Sequence, residues 1–167
     1  RIGEGDGVDV AGDFKSRLEI RRPREARALV QRVLPVCEAH GKMLVFRTWT
    51  LGAYQIGDLM WNRDTYEAVF GDVASPNLVV SLKYGESDFF RYLDVNPLFF
   101  HGPQQKIVEF QCRREYEGMG EYPSFVGWLA ADHLRRLRDG GANLFGFAAL
   151  QAGGWAAWDK LAFCGEG

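Results

Sequence analysis

Three carboxylates, Glu4, Asp88 and Glu115, stand just beyond short apolar runs, in company with the cations Arg47 and Lys83 and the aromatic residues Trp49, Tyr84 and Tyr116. An acid that protonates a leaving oxygen, a carboxylate that activates water, and rings on which a sugar can stack are what hydrolysis of a glycosidic bond requires. Plainer readings exist for each residue. Charged side chains are common in the loops of any protein built from strands and helices, and Arg47 and Lys83 serve a structural ion pair as well as a substrate contact. Phe89-Phe90 and Phe99-Phe100 read as loop anchors rather than sugar platforms, and His40 and His133 as solvated helix residues. His101, in a long loop, is a further site candidate. Arg17, Arg21, Arg22, Arg24 and Arg27 read as the solvated start of a helix. Gly3-Glu4-Gly5-Asp6-Gly7 lacks both the Lys-Ser/Thr of a P-loop and the spacing of a dinucleotide fingerprint.

The elements that would position these groups alternate along the chain. Ile2 reads as the end of a strand. Ala26, Leu29, Val30, Val33, Leu34 and Cys37 recur at helical spacing between Pro23 and His40, with Gly41 as the stop and a bend expected at Pro35. Met43 to Phe46 is a continuously apolar strand, which suits cover on both faces. A short helix from Asp64 to Phe70 has Asn62 as its cap, and Asn77 to Leu82 forms the next strand. Glu86 to Gln105 has no clean period and is long enough to suggest a functional loop. Lys106 to Cys112 returns to strand character. Ser124 caps a helix to Asp139 with Phe125, Trp128, Leu129, Leu134 and Leu137 on one side, Gly140-Gly141 end it, and Asn143 to Leu150 is the last strand. This rhythm predicts an α/β fold with about five parallel strands and intervening helices. In such folds reactive groups gather at the carboxyl ends of the strands.

Composition narrows the partners. The 167 residues are 47% hydrophobic and 25% charged, which excludes a disordered or collagen-like chain. Twenty Lys+Arg against 22 Asp+Glu leave a net charge of -2, too balanced for binding to a nucleic-acid backbone. The three cysteines, Cys37, Cys112 and Cys164, have no Cys-x-x-Cys pair, and only three histidines accompany them, so no metal site is expected. Unpaired thiols point to a reducing, cytoplasmic setting. No apolar run approaches the ~20 residues needed to cross a bilayer. With no initiator Met at Arg1, the chain reads as one domain, residues 1–167, taken from a longer protein.

Several segments carry a likeness beyond pattern. Leu78-Val79-Val80-Ser81-Leu82-Lys83-Tyr84-Gly85-Glu86-Ser87-Asp88-Phe89, Val95-Asn96-Pro97-Leu98-Phe99, Val108-Glu109-Phe110-Gln111 and Arg114-Glu115-Tyr116-Glu117-Gly118 resemble, in order and spacing, the catalytic barrel of family 67 glycoside hydrolases, the α-glucuronidases. The likeness extends to Val45-Phe46-Arg47 and Gly3-Glu4-Gly5, while Thr48 to Trp61 departs from the family pattern. It implies the C-terminal part of a (β/α)8 TIM barrel. A complete barrel runs to roughly 250 residues, so the chain would lack its N-terminal strands, and an exposed sheet edge of that kind leaves room for a homo-oligomer. The resemblance further implies an inverting enzyme, without metal or organic cofactor, that removes glucuronic acid or its 4-O-methyl ether from xylo-oligosaccharides. Asp88 and Glu115 fall on its general-base pair, Glu4 on its general acid, and Arg47 and Lys83 beside the uronate carboxylate. Trp49, Tyr84 and Tyr116 would complete the substrate surface. The alternative is a non-catalytic barrel that binds acidic carbohydrate without cleaving it.

Overall fold

The computed structural model describes residues 7–9, 22–48, 59–84, 94–111 and 126–150. In chain order the elements are β1 (Gly7–Asp9), α1 (Pro23–Ala39), β2 (Leu44–Arg47), α2 (Arg63–Phe70), β3 (Leu78–Lys83), a 3-10 turn (Pro97–Phe100), β4 (Gln105–Gln111), α3 (Val126–Asp139) and β5 (Leu144–Leu150). The strand expected to end at Ile2 lies outside the described residues. The first described strand begins at Gly7, so its carboxyl end is Asp9.

Local chemistry explains the helix boundaries. Pro23 occupies the first turn of α1, where a missing N–H costs nothing, and the Arg22 N–H donates to the Glu25 carboxylate at 3.2 Å. The helix continues through Pro35 to Ala39, with the proline on its exposed side. Asn62 caps α2 by accepting from the Thr65 N–H at 2.9 Å. Both α1 and α3 end in one motif. Gly41 (φ 61°) and Gly141 (φ 78°) turn left-handed, and the next N–H, of Lys42 and of Ala142, reaches back to the carbonyls of Cys37 and Leu137 at 2.8 and 3.0 Å. In each case the strand starts three residues after the glycine, at Leu44 and Leu144.

The five strands form one parallel sheet in the order β1-β2-β3-β4-β5, four of them four or more residues long and β1 only three. Alternation divides the side chains between two faces. Leu44 and Phe46, Leu78, Val80 and Leu82, and Val108 and Phe110 enter one core with Ala26, Val30 and Leu34 of α1, Tyr66, Val69 and Phe70 of α2, and Leu129 and Leu137 of α3. All three helices therefore lie against the same face, as right-handed crossovers between successive neighbouring strands require. Phe70 meets Phe46 edge-on, ring centres 5.0 Å apart, locking α2 over β2.

Val45, Arg47, Val79, Ser81, Lys83, Ile107 and Glu109 take the other face. Every residue of β3 is buried, including Val79 and Ser81 on this second face, in keeping with a strand covered on both sides. In β2 the cover is uneven, with Leu44 and Phe46 buried and Val45 and Arg47 half-buried. On α3, Trp128 is 76% exposed, a correction to its expected place on the apolar side.

Candidate functional site

Parallel register builds the site from the carboxyl ends of three strands. Arg47, the last residue of β2, stands beside Ser81 of β3, and Lys83, the last residue of β3, stands beside Glu109 of β4. Arg47 reaches across β3 to the carboxylate of Glu109. Its Nε donates to one oxygen at 2.6 Å and its Nη2 to the other at 2.7 Å, a two-pronged ion pair with short, charge-assisted bonds. The small Ser81 in Arg47's own row leaves room for that reach. Beyond Arg47, the Thr48 N–H and Oγ1 both donate to the Ser81 carbonyl at 3.0 Å, extending the ladder past the strand end.

Lys83 and Glu109 are each only 5% exposed. Burial of a charge is costly unless it is paired, so the Glu109 carboxylate is held by its ion pair with Arg47, and removing a partner from such a pair typically costs about 3–5 kcal/mol. Chemically, the cluster is a fixed guanidinium and an ammonium at one end of the sheet, suited to an anionic group such as a carboxylate.

Of the expected site residues, Arg47 and Lys83 are thus brought together at adjacent strand ends, Arg47 in the structural ion pair that its type and position also allowed. Tyr84 goes elsewhere. One residue beyond Lys83, it turns to the helix face, is 1% exposed, and packs against Phe110 (ring centres 5.9 Å apart) within the core. Its ring supports the strand ends from behind, a correction to the expected sugar contact. Glu4, Asp88, Glu115, Trp49 and Tyr116 lie outside the described residues.

Two histidines also differ from their sequence reading. His133 is not solvated: it is buried under α3 among Tyr84, Phe99 and Phe110, with ring centres 5.9, 6.3 and 6.0 Å away, and its Nε2 has no hydrogen-bond partner. Desolvation holds its pKa below the ordinary histidine value; Arg136 adds to this, and Asp132 opposes it. Leu129, His133 and Leu137 are spaced four apart, so the stripe itself marked His133 as inward. His101 is engaged with α2, its Nε2 2.9 Å from the Glu67 carboxylate and its ring edge-on to Tyr66. That places it near the amino end of β4, away from Glu109.

The residue that sequence reasoning passed over as a site member is Glu109. The signal was available: an acidic side chain inside the apolar run Ile107 to Phe110 needs a buried cation, and the ends of the two preceding strands supply Arg47 and Lys83. Among the described residues no group of His, Cys, Asp and Glu could hold a metal ion, and no helix is long and apolar enough to cross a membrane. Cys37 is a free, half-buried thiol; Cys112 and Cys164 lie outside the described residues.

Sheet and helices define a parallel α/β protein. No family model matches the chain, and comparison with curated proteins and with solved structures gave no significant match.

Proposed function

We propose that this chain is part of a (β/α)8 barrel of an α-glucuronidase-like glycoside hydrolase that removes a uronic acid from xylo-oligosaccharides with inversion. The observation that carries the reading is the Arg47–Glu109 ion pair, with Lys83 in register beside Glu109, near the carboxyl ends of three consecutive parallel strands. In a barrel each strand neighbours the next in sequence, whereas an open doubly wound sheet reverses its order part-way; the order β1-β2-β3-β4-β5 has no reversal. The carboxyl ends are also where barrel enzymes keep their chemistry.

In this mechanism Arg47 and Lys83 hold the uronate carboxylate by charge-assisted hydrogen bonds. Glu4 donates a proton to the glycosidic oxygen, and Asp88 or Glu115 takes a proton from water attacking the opposite face of the sugar. Tyr84, Phe110 and His133 pack behind the strand ends and fix the backbone that carries Lys83 and Glu109.

Incubation with a 4-O-methylglucuronoxylo-oligosaccharide, followed by proton NMR of the fresh product, tests the reading. Release of the β-anomer of the uronic acid is expected. Asp88→Asn and Glu115→Gln should each lower turnover by about 10²–10⁴-fold with the fold retained. Unchanged rates in both variants would refute the assignment. Saturable binding with no sugar released on long incubation would favour the non-catalytic barrel.

A further inference from the structure

Glu109 takes no part in the proposed acid/base scheme, yet it is a buried carboxylate, and both its oxygens are committed to Arg47. We propose that Glu109 is a positioning residue for recognition of the substrate's carboxylate, fixing the plane of the Arg47 guanidinium at the strand ends. This rests on the uronate reading above and adds a residue to it.

A long, half-buried arginine side chain at the end of a strand can adopt many rotamers, and each rotamer lost on binding weakens the complex. Clamping Nε and Nη2 at 2.6 and 2.7 Å sets the guanidinium plane before a ligand arrives. The clamp is itself rigidly based: Glu109 lies within β4, in register with Lys83 on one side and Ala148 on the other. Since Lys83 stands beside Glu109, the same carboxylate relates the two cations to one another. Both would then meet a planar anion from defined directions, with little left to order on binding.

This role has a signature opposite in sign to a simple charge effect. If Glu109 acted only through its negative charge, removing that charge beside two cations would strengthen anion binding. If it aims Arg47, removal weakens binding of the charged sugar and leaves a neutral one unaffected. Titration calorimetry on the whole chain with methyl α-D-glucuronoside and methyl α-D-glucoside separates the two. Wild type should prefer the glucuronoside, and Glu109→Gln should bind it about tenfold more weakly while its affinity for the glucoside is unchanged. Equal or tighter glucuronoside binding by Glu109→Gln overturns the positioning role. Absence of any preference for the charged sugar in wild type overturns the uronate reading itself, a distinct result.

A measurement on the wild-type chain guards against a variant that fails to fold. The Arg47 Nε–H should give a resolved NMR resonance protected from solvent exchange, assigned by its loss in Arg47→Lys. A fast-exchanging Nε–H shows a guanidinium that is not clamped and rejects the proposal. Arg47→Lys keeps the charge but not the two-pronged fork, so it should reproduce the loss of affinity seen in Glu109→Gln. Undiminished glucuronoside binding by Arg47→Lys also rejects it.

Discussion

Lys106 carries its ammonium into the helix layer at the amino end of β4. There Nζ donates to the Gln104 carbonyl at 2.7 Å and lies 5.4 Å from the centre of the Tyr66 ring. Around it is a satisfied polar knot: Tyr66 donates to Gln104 Oε1 at 2.9 Å, and Gln104 Nε2 donates to the carbonyls of Phe70 and Val73, each at 2.8 Å. Burial lowers the Lys106 pKa from 10.5 to about 8. In the unfolded chain the amine returns to its ordinary value, so between pH 8 and 10.5 the unfolded state binds more protons and stability rises with pH. Burial pushes Tyr66 the other way. Above its ordinary value of 10.0 the unfolded chain loses the tyrosine proton while the folded chain keeps it, and stability falls. The Lys106 signal is therefore clean below pH 10. Below pH 8 its charge is buried at a cost of up to about 3 kcal/mol, against about 1 kcal/mol returned by the hydrogen bond. Lys106→Met should raise the thermal midpoint at pH 7 by a few degrees and abolish the rise between pH 8 and 9.5. Parallel melts of the two chains at pH 7, 8, 9 and 9.5 read both effects, and two identical slopes would contradict the assignment.

At the scale of elements, two of the three helix-to-strand connections, α1 to β2 and α3 to β5, repeat one solution, and each depends on one glycine. A methyl group added at Gly41 or Gly141 would meet nothing within 4 Å, so substitution there strains only the left-handed backbone. Gly41→Ala and Gly141→Ala should each lower stability by about 1–2 kcal/mol, and Gly41→Asn by less, because asparagine tolerates that conformation. Urea midpoints rank the three. Equal stability of Gly41→Ala and wild type would mean that the turn does not hold the α1 to β2 connection. These stops, the Asn62 cap and the apolar stripe of α1 were all legible in the sequence because each is set by neighbours a few residues apart. Pairing between strands was not. Nothing local says that Arg47 shares a row with Ser81 or that Lys83 shares one with Glu109, and the register shift between Lys106 and Ile107 in the β4 to β5 pairing leaves no mark in the sequence. Tyr84 shows the consequence. Its type and place after a strand suited a sugar contact, but the alternation that turns Lys83 to one face turns Tyr84 to the other.

On the scale of the whole molecule, the sheet has an unequal pair of edges. β1 offers three residues, whereas β5 offers seven and has no further strand beyond it among the described residues. Phe147 of β5 pairs in register with Val108 and so shares the helix face, yet it is 66% exposed. Phe145 is also exposed, and between α3 and Leu144 runs an open, largely apolar groove bordered by Ala131, Leu134, Arg135 and Arg138. An outer strand with unpaired backbone groups and exposed aromatic side chains is a template for association, which natural sheets suppress with charge at the edge. Neither phenylalanine contributes to the buried core, so a lysine at either position costs little stability while opposing approach of a second sheet. The 167-residue chain should therefore self-associate with increasing concentration, and Phe147→Lys should shift it toward monomer with its thermal midpoint changed by no more than a few degrees. Sedimentation velocity over a hundredfold range of concentration reads the difference. A concentration-independent monomer in wild type would show that this edge is already protected, and equal association in the variant would place the contact elsewhere on the surface.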